Sequence, residues 1–159
     1  MYLLALIIPF CLTYFILAGL FSLFFDKHLP VFHTGPMRSL FIIVLLALGV
    51  FAIMSMIPDP EIANRIEHAV GGGVLATLIC FLVVRDTRPS ITRFQFFIFS
   101  ALVVTSLGVV NELVEFFLQA QFHLTMSRGM LDTWLDLSSN TVGTVLALVA
   151  LTPFVGRHR

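Results

Sequence analysis

Five long apolar stretches, at about 2–25, 39–57, 68–84, 94–119 and 137–155, limit what this chain can become. A membrane-spanning helix needs roughly 20 mostly apolar residues, and each stretch meets or approaches that length. Backbone polar groups find no water in a bilayer, so such stretches cross as helices. The connections are short, which leaves a single transmembrane domain over residues 1–159 and no separate soluble one. The fold class that follows is all-α, a polytopic membrane bundle of about five transmembrane helices. Composition agrees. The chain is 58% hydrophobic and 11% charged, with a mean hydropathy of +1.02, where a soluble domain has about 45–50% apolar and about 25% charged residues. The formal net charge is zero and no basic cluster stands out, so no nucleic-acid partner is expected. Cys11 and Cys80 lie in apolar runs and read as packing residues. The first apolar run lacks a basic flank and exceeds the about 7–15 residues of a signal-peptide core, so it reads as a retained helix.

Basic residues set the orientation. Lys27, Arg38, Arg85, Arg88, Arg93, Arg157 and Arg159 fall on one side of the five spans, and Arg65 and Arg128 on the other. Short loops rich in Lys and Arg stay cytoplasmic. The expected topology has the N-terminus outside and the C-terminus in the cytoplasm. The acids are distributed the opposite way: Asp59, Glu61, Glu67, Asp132 and Asp136 belong to the outer side, and Glu112 and Glu115 come late in an outward-running span.

Ionisable groups at membrane depth are costly and mark functional sites. Glu112 and Gln119 are seven residues apart on one helix face, with Glu115 close beside them. Two carboxylates this near in poor solvent resist ionising together, which suits a general acid, a proton relay or a shared cation. If the helix ends near Glu112, both simply reach water. Asp132, Asp136 and Asn140 follow at i, i+4 and i+8 on the last span, after Ser127-Arg128-Gly129. The helix dipole accounts for Asp132, but Asn140 lies too deep for that and needs hydrogen-bond partners, for which Asp136 and Glu112 are candidates. Gly143 suits close helix packing. Glu67 and His68 open the third span and either join the cluster or stay interfacial. The following Gly71-Gly72-Gly73 costs up to about 1 kcal/mol per residue in a helix, which points to a close crossing beside His68 or to room for a lipid chain. Arg128 either neutralises Asp132 or Asp136 or grips an anionic group in bidentate fashion. Asp59 between two prolines reads as a rigid turn, Trp134 as an interfacial aromatic, and spans one and two as scaffold.

These residues carry a resemblance. Asn111-Glu112-Leu113-Val114-Glu115, then Arg128, then Asp136 to Gly143, with Ile66-Glu67-His68 earlier, resembles the VanZ-like membrane proteins. Glu115 stands where that pattern has glutamine, and Asp132 is an extra acid. The resemblance covers about residues 59–150. It implies a multi-pass protein of the bacterial cytoplasmic (inner) membrane with an envelope role connected to resistance to glycopeptide antibiotics.

The leading functional reading is therefore an outward-facing site that binds or modifies a lipid-linked envelope molecule. Glu112, Asp136, Asn140 and His68 are its candidate catalytic residues, with Glu112 or Asp136 as general base. Arg128, Glu115, Asp132 and Gln119 are its candidate substrate-binding residues. Membrane lipids and a lipid-linked envelope precursor are the expected partners. No resident cofactor or metal is expected, because no compact metal motif is present, although the carboxylates and His68 are donors that suit a divalent ion. A structural or partner-binding protein without catalysis and a small proton-coupled transporter are the alternatives. Whether the protein is an enzyme and how it oligomerises stay open at this point.

Overall fold

The computed structural model describes residues 2–26, 30–32, 35–123 and 129–156, with side chains from residue 7 onward. Six α-helices follow one another: α1 (Tyr2–Phe21), α2 (Pro36–Ser55), α3 (Pro60–Glu67), α4 (Ala76–Thr87), α5 (Arg93–Phe122) and α6 (Met130–Leu151). A π-helical turn, Ser22–Asp26, extends α1, and a π-helical segment, His68–Leu75, joins α3 to α4 in one continuous crossing. Five helical stretches are long and apolar enough to span a bilayer: Ile7–Asp26, Pro36–Ser55, Pro60–Thr87, Arg93–Phe122 and Met130–Phe154. Among the described residues there is no β-strand.

Local chemistry sets where these helices begin. Asp59 caps α3, its carboxylate accepting from the Glu61 and Ile62 amides at 2.8 and 3.3 Å, with Pro60 in the first helical position. The turn expected at Asp59 is therefore a helix start, and the third crossing begins at Pro60, not at about residue 68. Hydropathy hides those extra turns because they carry Asn64, Arg65 and Glu67. Likewise α6 begins at Met130 and not at 137, so Asp132 and Asp136 sit within the helix. A reciprocal capping box opens α5: the Thr92 hydroxyl accepts from the Gln95 amide at 3.2 Å, and the Gln95 side chain accepts from the Thr92 amide at 2.8 Å.

Half of the third crossing is buried, against 22–28% of the others, which puts it at the centre of the bundle. Around it Tyr14, Leu17, Phe21, Ile43, Ala47, Ile79, Val83, Phe96 and Leu148 form the sealed core. Large apolar side chains such as Phe94, Leu102, Phe116 and Leu146 point outward. A soluble monomer would not expose so much apolar surface, and a bilayer accepts it. Hydroxyls in the crossings bond back one turn: Thr77 donates to the Gly73 carbonyl at 2.8 Å and Thr144 to that of Asn140 at 2.7 Å.

Candidate functional site

The π-helical segment and α6 cross with almost no separation. A Cβ built on Gly143 would lie 1.9 Å from the Ala69 carbonyl oxygen, and one on Gly73 would lie 2.6 Å from that of Asn140. One on Gly72 would meet the Asn140 side-chain oxygen at 1.9 Å. Backbone therefore packs on backbone, which is what small residues at membrane helix crossings permit. A π-helical turn is rare and recurs at functional positions. Here it presents His68 to α5 and α6 from the middle of the bundle.

The stripe expected on α6 faces inward as a unit. Asp136 and Asn140 are buried, followed by Gly143, Thr144, Ala147 and Leu148. Asp136 is 2% exposed, and Asn64, Arg65 and His68 surround its carboxylate. Asn64 donates to it at 2.9 Å. Arg65 pairs with it through Nη1, and with the Asp132 carboxylate through Nη2. His68 Nε2 lies 3.4 Å away. The Nδ1 atom of the same imidazole lies 3.5 Å from the Asn140 amide nitrogen. His68 is thus held between Asp136 and Asn140, and a histidine fixed from both ring nitrogens keeps one orientation. The sequence placed Arg65 on the outer side with the acids but gave it no partner, and Asn64 escaped it. The amphipathic period of a capped α3 is the signal that could have found them.

From α5, Glu112 and Glu115 face the same ring. One donor atom each of His68, Glu112 and Glu115 come within 4.8 Å of one another. Glu112 is 7% exposed, and neither of its carboxylate oxygens has a hydrogen-bond partner among the described residues. Thr133 approaches it without reaching bonding geometry. Helix α5 runs on for ten residues past Glu112, so the carboxylate does not escape to water at a helix end. Glu115 accepts a bond from the Asn111 amide at 2.7 Å, which fixes one oxygen. Gln119 lies exposed on the last turn of α5. Arg128 lies outside the described residues.

Beside the polar focus is a cavity of about 460 Å³. Its walls come from α1 (Pro9, Phe10, Thr13), α2 (Val50) and α5 (Leu107, Val110, Val114), and its floor from Gly71, Gly72 and Gly108. Glu67, His68, Asn111 and Asn140 line its polar end. Gly71 keeps its floor low: a Cβ there would meet only the Phe10 ring, at 3.8 Å.

A model for a family described as a predicted membrane protein, DUF2238, matches residues 3–157. The chain belongs to the DUF2238 family. Neither a search of curated proteins nor one of solved structures finds a match. The family description carries integral membrane character and goes no further.

This DUF2238 protein has a second buried carboxylate at the opposite end of the central crossing. Asp86 is fully buried. Tyr14 donates to it at 2.7 Å, Ser39 donates to it from α2, and Arg85 Nε reaches its other oxygen at 3.1 Å. Arg85 also donates to the Ser39 hydroxyl at 2.7 Å. Spans one and two are therefore more than apolar scaffold: each supplies a polar group to a closed network. A lone Tyr and a lone Ser in apolar runs gave no warning of it.

Proposed function

We propose that the protein binds or modifies a lipid-linked molecule of the bacterial cell envelope at the cavity between α1, α5 and the π-helical segment. The cavity carries this reading. Its walls are apolar, it is sized for part of a hydrocarbon chain, and it ends on Glu67, His68, Asn111 and Asn140. Ligand pockets combine apolar walls with a few placed polar groups in this way. In the proposal, the chain lies along α1 and α5, and the headgroup meets the polar end. The positive-inside pattern places that end outside, with the N-terminus outside and the C-terminus cytoplasmic, in an inner-membrane protein. Resemblance to VanZ-like proteins supports an envelope role, with glycopeptide tolerance as its phenotype.

Among the two carboxylates considered as general base, the contacts favour Glu112. Asp136 is engaged by Arg65 and Asn64 and suits orienting His68, as Asn140 does from the other side. Glu112 is the carboxylate with unused acceptors. Arg65, already paired twice, is a positioning group, which leaves Arg128 for an anionic headgroup. The inward-facing stripe on α6 is spent on contacts within the chain, which disfavours a purely partner-binding role for it.

Native mass spectrometry of detergent-purified protein tests the proposal. The wild type should retain one lipid per chain, and Thr13→Trp, which fills the cavity, should lose it while keeping its helical content. Equal lipid occupancy in the two would remove the cavity from the account.

A further inference from the structure

We propose that His68, Glu112 and Glu115 bind one divalent transition-metal ion. This goes beyond the lipid reading and stands without it. The donor atoms lie within 4.8 Å of one another. An ion about 2.0–2.2 Å from each donor spaces tetrahedral ligands by roughly 3–4 Å, so a small side-chain adjustment closes the site. Glu112 and Glu115 are three apart on one face of α5, and His68 meets them from the π-helical segment. Helix bundles build metal sites from such facing, inward-projecting pairs.

The second observation is the state of Glu112. A carboxylate that is 7% exposed, with neither oxygen hydrogen-bonded among the described residues, is poorly compensated. The Arg65 guanidinium is engaged by Asp132 and Asp136. A dication supplies the missing counter-charge, and two carboxylates neutralise it. The surroundings also do what supporting residues of metal sites do. Asn111 orients Glu115 at 2.7 Å. Of the two imidazole contacts, with Asp136 at 3.4 Å and Asn140 at 3.5 Å, one gives way to the ion and the other holds the ring. One imidazole with two carboxylates favours Zn²⁺, Mn²⁺ or Fe²⁺ over Ca²⁺ or Mg²⁺, which prefer oxygen alone. With the ion bound, Glu112 serves as a ligand and not as a base.

The test uses the full chain in detergent. Protein stripped with chelator is titrated with Zn²⁺ and with Mn²⁺, and metal content is read by elemental mass spectrometry after gel filtration. We expect one ion per chain in the wild type and in Glu61→Gln, an exposed acid that lines neither the cavity nor the donor cluster. Glu112→Gln and Glu115→Gln should each weaken binding at least tenfold. X-ray absorption of the loaded wild type should show an oxygen/nitrogen shell that includes one imidazole, a readout that needs no variant to fold. A wild type that binds neither ion overturns the proposal. Equal binding in both glutamine variants, or a shell without imidazole, overturns it as well. Lipid occupancy is measured in the same samples: lipid without metal sinks this inference alone, and metal without lipid sinks only the preceding one.

Discussion

Replacing Arg65 with Met tests whether the α3–α6 contact is an ionic clamp. Arg65 bonds the Asp132 and Asp136 carboxylates and donates to the Asp132 carbonyl at 3.2 Å. The Asp136 side chain is 3% exposed, that of Asp132 12%, and that of Arg65 24%. Removing one partner of a buried pair costs about 3–5 kcal/mol, because the remaining charge is stranded. Two features place Arg65→Met at the lower end, about 3 kcal/mol. The guanidinium is partly solvated, and Asn64 still donates to Asp136 at 2.9 Å. Replacing both partners, Arg65→Met with Asp136→Leu, should return much of that loss, since no buried charge is left behind. A coupling energy of about 2 kcal/mol is expected from the cycle, within the range for residues in direct contact. Reversible unfolding in mixed detergent micelles measures it, with fluorescence of the sole tryptophan, Trp134, reporting on the first turns of α6. If Arg65→Met unfolds within about 0.5 kcal/mol of wild type and the cycle shows no coupling, the pair is a surface contact and the reasoning fails.

Glycine positions should separate cleanly. Gly143→Ala drives a Cβ into the Ala69 carbonyl and should cost at least about 1–3 kcal/mol, whereas Gly49→Ala, with nothing within 4 Å, should be neutral or stabilise α2 by up to about 1 kcal/mol. The same unfolding assay ranks them, and equal effects would refute the close crossing. Tyr14→Phe removes a 2.7 Å donor from fully buried Asp86 and should cost about 1–3 kcal/mol. An unchanged midpoint would show that Ser39 and Arg85 satisfy that carboxylate alone. A reporter active only in the cytoplasm should work when fused at the C-terminus, and silence there would reverse the proposed topology.

The sequence made the five crossings legible, because each is a run of apolar residues that only a helix can carry through lipid. It made the α6 stripe legible too, since Asp132, Asp136 and Asn140 recur at helical spacing and Asp136 and Asn140 are buried. What it concealed were residues whose meaning depends on a partner far away in the chain. Arg65 looked like a loop charge because the hydropathy that defines a span stops short of it. Its role emerges once Asp59 caps a helix that turns Asn64 and Arg65 toward α6. Asp86 follows the apolar run at 68–84, and none of its sequence neighbours marks it as buried. Tyr14 and Ser39, 72 and 47 residues away, make it a core residue.

The glycines at 71–73 bring these strands together, because the same absence of side chains has two consequences. On one side of the segment, Gly73 lets α6 come into backbone contact, and Asn140 is pressed against Gly72 and beside His68. On another, Gly71 leaves the floor of the cavity bare beside Phe10. A residue added for stability would therefore act differently at each position. At Gly71, a Cβ would meet the Phe10 ring at 3.8 Å, an ordinary contact, so Gly71→Ala should fold well and narrow the cavity. At Gly72, a Cβ would displace the Asn140 side chain and, with it, the clamp on His68. If the site were only packing, both changes would be read in stability alone. If it is a binding site, Gly71→Ala should lower lipid occupancy at unchanged or higher stability, the trade-off expected where function keeps a helix from being as well packed as it could be.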